Sequence, residues 1–426
     1  MLTDALKRTL LLMRSDLETV SDEELLEALT GTRVVLSAGP DALQTHSGQS
    51  AIAAAATLML RTGHEVFLDF PDVRLLGPQP PLHSGGGLLG ALLECGSDLL
   101  PGRCFKLGRP AAADVAITFG NTAPTPGELA LALDATDWSA RLTPGGDRST
   151  WSGGDWPVGG LACGALAAGE AFKTAMRKLK PRAATALFDD WYEACMEAAV
   201  ELAPQGTART AELGAFDMIS GGAIANGALF ALLRLPGATG SCRVLDDDAS
   251  AMSNLNRNAL LRCSRLDRMK VDDLASYAKG LAIEGLAVRF EEGLRDVTLA
   301  DTVLVGVDHI ASRWAVQRTG PTWLGVGATD RFTVQVSKHR PAEPCAGCAY
   351  PYGNDPGGDI PTVAFVSFWS GLLLAVELLG RHSDEVSGAT GQRLFYALRP
   401  ESFAASRLPL AVHPGCPLGC GERKAA

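Results

Sequence analysis

One pattern occurs twice in this chain and fixes most of what it can fold into. An apolar strand enters a turn of small residues, a helix follows, and a second apolar strand ends in an acid. The first copy starts at Arg33-Val34-Val35-Leu36-Ser37-Ala38-Gly39. It passes through an alanine-rich helix, about Ser50 to Arg61, and ends at Glu65-Val66-Phe67-Leu68-Asp69-Phe70. The second starts at Phe216-Asp217-Met218-Ile219, turns at Gly221 to Ala225 and continues as a helix over Ala228 to Leu235. It ends at Arg243-Val244-Leu245-Asp246. Strand, turn, helix, strand and acid is the opening of a nucleotide-binding α/β unit. Its ligand crevice lies beyond the carboxyl ends of the strands.

The rest of the chain extends both copies. In the first, a helix is expected near Gly87 to Glu94, a strand at Val115 to Gly120 and a long helix at about Leu161 to Leu179. In the second, a helix is expected at Leu274 to Leu281 and strands at Ala287 to Phe290 and Thr302 to Asp308. One or two more strands fall within 321–342, and a hydrophobic helix over Ala364 to Leu379. Residues 183–210, with a helix expected at Ala183 to Leu202, serve as a connector. The expected division is an N-terminal domain over 1–182, the connector at 183–210 and a second domain over 211–426. The halves read as a divergent internal duplication. The first turn, Gly39-Pro40-Asp41-Ala42, lacks a spaced glycine fingerprint, so chemistry is expected in the second half.

Composition removes several function classes. A net charge of −10 argues against general affinity for nucleic acid or anionic membrane. No run of 18 apolar residues is present, so no membrane span is expected. Asp4 and Asp16 flank the short apolar run at the start, which reads as an amphipathic helix rather than a secretory signal. With ten cysteines, four of them in two late pairs, this favours a reducing cytoplasm and a metal site over a disulfide framework.

The candidate chemistry lies between Gly222 and Asp308. Gly222 sits in a degenerate glycine turn, Ser220-Gly221-Gly222-Ala223-Ile224-Ala225, that lets backbone N–H groups approach phosphates or is simply a tight turn. Asp246, at the end of its strand, can accept both hydroxyls of a ribose or be a solvated acid. Asn254 and Arg257, three apart on an expected helix, can face one side, and Lys270 at the start of the next helix can return to them. Two cations and an amide there would hold a triphosphate and stabilise charge during attack at its α-phosphate. Asp308, ending a central strand, can hold Mg²⁺ or cap the following helix. Cys345-x-x-Cys348 and Cys416-x-x-x-Cys420 fit a closed, structural Zn²⁺ site, with unmetallated thiols or an oxidative disulfide as alternatives.

The run Asp246-x-Asp248, Ser253-Asn254-Leu255-Asn256-Arg257-Asn258, Lys270 and Asp308-x-x-x-x-Arg313 resembles the ubiquitin-activating-enzyme superfamily, of ThiF/MoeB type. The two cysteine pairs match the zinc site of that family, and the likeness covers about 215–420. It is most like the activating enzymes of bacterial ubiquitin-like conjugation (antiphage, Bil-type) operons. The resemblance implies two Rossmann-like adenylation domains in tandem forming a pseudo-dimer, the N-terminal one degenerate and inactive. The implied reaction is adenylation of the C-terminal carboxylate of a ubiquitin-like protein with Mg·ATP, followed by hand-over to a conjugating enzyme. It assigns Gly222 to the ATP site, Asp246 to the ribose, Asn254, Arg257 and Lys270 to phosphates and transition state, and Asp308 to Mg²⁺. It also implies an arginine from the N-terminal helix, Arg8 or Arg14, entering the ATP site. Ser220, Ala225, Asn258 and His309 depart from the family pattern, and no thioester cysteine can be placed. Association of two pseudo-dimers is left open.

Three other readings remain. One is adenylation of a sulfur-carrier protein or short peptide. Another is an NAD-dependent oxidoreductase, which needs neither Lys270 nor Asp308. The last is a non-catalytic scaffold that kept the fold.

Overall fold

The computed structural model describes residues 1–83, 85–123, 125–145, 150–204, 207–291, 297–353, 357–382, 391–400 and 408–420. Two sheets carry the chain, and each begins with the expected repeat. In the first, β1 (Arg33–Ala38), β2 (Glu65–Asp69), β3 (Lys106–Leu107), β4 (Val115–Phe119), β5 (Leu129–Ala135), β6 (Ser139–Pro144) and β7 (Ala198–Glu201) lie in the order β3-β2-β1-β4-β5-β6-β7. The second contains β8 (Glu212–Ile219), β9 (Thr239–Leu245), β10 (Leu281–Leu286), β11 (Thr302–Val305), β12 (Trp323–Asp330), β13 (Thr333–His339), β14 (Gly391–Tyr396) and β15 (Leu408–Pro409). Its order is β10-β9-β8-β11-β12-β13-β14-β15. Strand for strand the first seven positions correspond. In both, five strands are parallel and the rest antiparallel. The molecule is thus mixed α/β with two mostly parallel sheets.

The helices show the same duplication at single residues. His46–Arg61 packs on Val158–Lys178 in the first half, as Ala223–Leu232 packs on Ala364–Leu379 in the second. The alanine-rich helix is buried on all sides because its small side chains let neighbours approach. A Cβ on Gly164 would lie 2.6 Å from Ala54 Cβ; one on Gly371 would lie 2.4 Å from Ile224 O. Six residues beyond each glycine stands a buried glutamate with a buried base. Glu170 lies 2.6 Å from Lys173 Nζ, and Glu377 2.8 Å from Arg393 Nε. One hydrophobic core runs through both halves. Phe172 of the first lies 5.7 Å from both Phe332 and Phe365 of the second.

Three element expectations change. The helix expected at Ala183–Leu202 is a five-residue helix, Phe188–Tyr192, followed by β7. Ala198 to Glu201 alternates buried and exposed, as an antiparallel partner of β6 demands. The connector region therefore completes the first sheet. The helix expected at Leu274–Leu281 lies earlier, over Lys270–Ala275, and the following strand is Leu281–Leu286 rather than Ala287–Phe290. Here too alternation in Leu281-Ala282-Ile283-Glu284 decides, since it buries one face of an edge strand. Asn254 and Arg257 share a turn, not an α-helix: Met252–Asn254 is 3₁₀, and the Arg257 and Asn258 amides both donate to Asn254 O.

Among the described residues no helix is long and apolar enough to cross a membrane.

Candidate active site

The carboxyl ends of β8, β9 and β11 open into a cavity of about 560 Å³. Gly222, Asp246, Asn254, Arg257, Lys270 and Asp308 all line it, together with Arg8 from the first helix, Leu2–Arg14. Residues 246–270 bring four of these within one chain segment, and the parallel strand order brings the other two alongside. Sequence reasoning missed Arg289, Phe290, Thr329, Ile360 and Thr362, which complete the wall. None belongs to a recognisable motif; the fold alone brings them here.

The turn after β8 is built around Asp246. Its Oδ2 accepts from Gly221 N at 2.7 Å and its Oδ1 from Asp248 N at 2.9 Å. Ser220, where a glycine is usual, has φ of 93° and its hydroxyl accepts from Gly222 N at 2.9 Å. Gly222 caps the helix Ala223–Leu232, whose first N–H groups have no partner within the helix, and Gly222, Ala223 and Ile224 line the cavity. Ala225 is fully buried, packed beside Gly306.

Lys270 and Arg8 are paired with acids, whereas Arg257 is held by neutral oxygens. Lys270 Nζ is bonded to Asp248 and lies 3.5 Å from Asp246 Oδ1. Arg257 donates to Ser253 O and, at 3.1 Å, to Asn256 Oδ1. Burial pushes the Arg257 guanidinium down to about 10 and nearby Arg8 pushes the same way, so it stays charged at neutral pH. Arg8 pairs with Asp359 at 2.9 Å and donates to Ile360 O at 3.3 Å. Arg14 is bonded to Asp22 at the surface and does not line the cavity. Asn256, fully buried, donates to Thr9 Oγ1 at 2.9 Å and to Thr362 O at 3.3 Å, which seats the first helix against this site.

Asn254 turns its Oδ1 back to Ala251 N at 2.8 Å. Asp308 is exposed, and the residue capping the helix Ile310–Arg318 is His309, not Asp308. Arg313 donates twice to Val307 O, at 3.1 and 2.9 Å, and stacks on Tyr350, which fixes the backbone just before Asp308.

At the corresponding strand ends of the first half, side chains bond to their own backbone and to one another. Asp41 accepts from Asn121 N at 2.9 Å and Trp151 N at 2.7 Å, and Trp151 packs on Phe119. Asp69, the counterpart of Asp246, is paired with Arg109.

Cys345, Cys348, Cys416 and Cys420 bring their sulfurs within 4.8 Å of one another. Cys345 Sγ lies 3.9, 3.5 and 3.1 Å from those of Cys348, Cys416 and Cys420. Thiolates about 2.3 Å from a tetrahedral Zn²⁺ would be about 3.8 Å apart, so the cluster can hold that ion.

Residues 33–187 match the family model described as BilD N-terminal domain. A Sinorhizobium fredii protein, y4jF, is 30% identical over 145 residues, which is 33% of this chain but 28% of that protein. The SAMP-activating enzyme E1 of Haloferax volcanii is 26% identical over 198 residues, 43% of this chain and 72% of the relative. Solved structures of E. coli MccB are distantly similar. The succinimide complex has a TM-score of 0.41 at 14% identity, covering 69% of this chain and 98% of that one. The ATP complex has a TM-score of 0.39 at 14% identity, covering 48% and 66%. The chain therefore carries a BilD N-terminal domain over residues 33–187 and is a homologue of the E1-like adenylating enzymes.

Proposed function

We propose that this chain activates a ubiquitin-like protein by adenylating its C-terminal carboxylate. The carrying observation is that Arg8, Asn254, Arg257 and Lys270 converge on one cavity with Asp246 and Asp308. A redox dinucleotide site has no need of three cations around its phosphates.

In this reading Asp246 holds the ribose hydroxyls at the end of β9. The N–H groups of the first helical turn after Gly222 and the side chain of Asn254 meet phosphate oxygens. Lys270 leaves Asp248 for the phosphates, which compete for it with more charge. Asp308 would hold Mg²⁺, which would supply charge neutralisation at the phosphates. A carboxylate oxygen of the partner attacks the α-phosphorus, the bond to the bridging oxygen breaks, and pyrophosphate leaves an acyl-adenylate. Arg257, Lys270 and Arg8 stabilise the charge that builds up on the α-phosphate and pyrophosphate oxygens. The first half acts as an inactive adenylation domain in a pseudo-dimer. The four-cysteine cluster takes a structural Zn²⁺ that ties the C-terminal segment to the segment after β13.

Hand-over goes to a thiol of a separate conjugating enzyme. Cys95, Cys163, Cys195 and Cys242 are buried, exposed Cys104 is in the first half, Cys263 is half-buried, and none of these six lines the cavity. The resemblance and the BilD-type domain favour a bacterial, cytoplasmic, antiphage conjugation system.

Pyrophosphate exchange into ATP tests this. It is expected to need a ubiquitin-like protein with a free C-terminal carboxylate and to fall about a hundredfold or more in Lys270→Ala. Exchange that survives both C-terminal amidation of the partner and loss of Lys270 would contradict it.

A further inference from the structure

Between Asn254 and Lys270 the chain makes only a short 3₁₀ turn, Cys263–Arg265, yet Leu255, Ala259, Leu260 and Leu261 are buried. Their backbone carbonyls must find partners. One buried side chain of the first half donates to three of them. Arg61, the last residue of the helix His46–Arg61, is fully buried. It donates through Nη1 to Leu255 O at 2.8 Å and through Nη2 to Ala259 O at 3.2 Å and to Leu261 O. One further bond, to Leu99 O at 3.3 Å, stays in its own half. Nearby, Asp98 accepts from Ser264 N at 2.7 Å and from Ser264 Oγ at 2.6 Å. Arg257 stands two residues after Leu255 and two before Ala259. The carbonyls that Arg61 holds therefore bracket the cation that faces the cavity.

We infer that Arg61 is a positioning residue for the adenylation site: from the degenerate half, it fixes the backbone on both sides of Arg257. This rests on the proposed function, and it gives the first half a second task besides delivering Arg8. A planar guanidinium presents five N–H groups in a fixed fork, which suits it to bind three carbonyls of one loop at once. An ammonium at the end of a flexible stem cannot reproduce that fork.

The reciprocal contact provides a control. Arg234 lies just past the helix Ala223–Leu232, is also fully buried, and crosses in the opposite direction. It donates to Gln79 Oε1 at 2.8 Å and to Pro80 O at 2.5 Å, and neither residue lines the cavity. If Arg61 only cements the two halves, losing either arginine has the same consequences.

The test compares Arg61→Lys with Arg234→Lys in the full chain. Thermal stability, calorimetric binding of Mg·ATP and amide hydrogen exchange over 255–262 are measured for both. Both variants are expected to melt lower. Arg61→Lys alone is expected to weaken Mg·ATP about tenfold or more, since arms that loosen by a fraction of a hydrogen bond misplace the cation. It alone is expected to speed exchange at 255–262. Wild-type affinity and exchange in Arg61→Lys, or equal losses in the two variants, would overturn the inference. Should Arg61→Lys fail to fold, Arg61→Gln takes its place in the same comparison. Failure of the wild type to bind Mg·ATP would instead sink the adenylation reading, and the exchange data would still decide whether Arg61 orders the segment.

Discussion

Ser220 stands at the end of β8 with a φ of 93°, a conformation that favours glycine. Its hydroxyl offsets part of the strain by accepting from Gly222 N. Ser220→Ala keeps the strain and loses the bond, so about 1 kcal/mol of stability should go; Ser220→Gly should cost less. Chemical denaturation of both variants checks the order. His64 shows a different residue-scale effect. Its ring is fully buried, its Nδ1 donates to Leu29 O at 3.1 Å, and burial pushes its pKa down to about 4 from the ordinary 6.5. The unfolded chain then binds the proton more readily. This contribution to stability is whole above pH 6.5 and is lost as pH falls towards 4. Replacing His64 by Gln should flatten the fall of Tm across that window, and an unchanged slope would contradict the assignment. That Asp246, Asn254, Arg257 and Lys270 would meet at one cavity was legible in the sequence, because they lie within one short segment at the end of a strand. Arg61 was not, since its carbonyl partners in the second half lie 194 to 200 residues away and no local pattern marks a buried arginine.

At the scale of elements, the close helix pairs decide the packing. A glycine inside a helix usually costs about 1 kcal/mol against alanine. Gly371→Ala should nevertheless destabilise by about 2 kcal/mol, because its Cβ would lie 2.4 Å from Ile224 O and 2.5 Å from Ala228 N. Gly164→Ala should behave alike, and equal effects would support the equivalence of the two helices. That equivalence was written in the sequence as Gly164-Ala-Leu-Ala-Ala-Gly-Glu170 and Gly371-Leu-Leu-Leu-Ala-Val-Glu377. It gains meaning only once both glycines are seen at a helix crossing. The strands that alternation alone could place, β7 and β10, were misjudged because adjacent alanines and leucines also satisfy a helical period. The four-cysteine cluster belongs to this scale too. A strong chelator should release about one Zn²⁺ per chain and lower Tm, and Cys345→Ser should do both without chelator.

At the scale of the whole molecule, the two halves are packed as one unit. A single core passes between them, Arg61 and Arg234 cross in opposite directions, and Arg8 reaches the cavity from the first helix. Residues 211–426 expressed alone should therefore neither stay monodisperse nor bind Mg·ATP, and chromatography with calorimetry checks both. The duplicated architecture was legible because strand, turn, helix and acid recur in order. The reciprocal interface was not, since it depends on which faces of four helices meet. The central claim is that this shared cavity binds a nucleoside triphosphate for adenylation. Calorimetric titration of Mg·ATP and of NAD into the full chain and into Lys270→Ala tests it most directly. The account predicts Mg²⁺-dependent ATP binding that weakens in the variant, with no binding of NAD; NAD binding without ATP binding would contradict it.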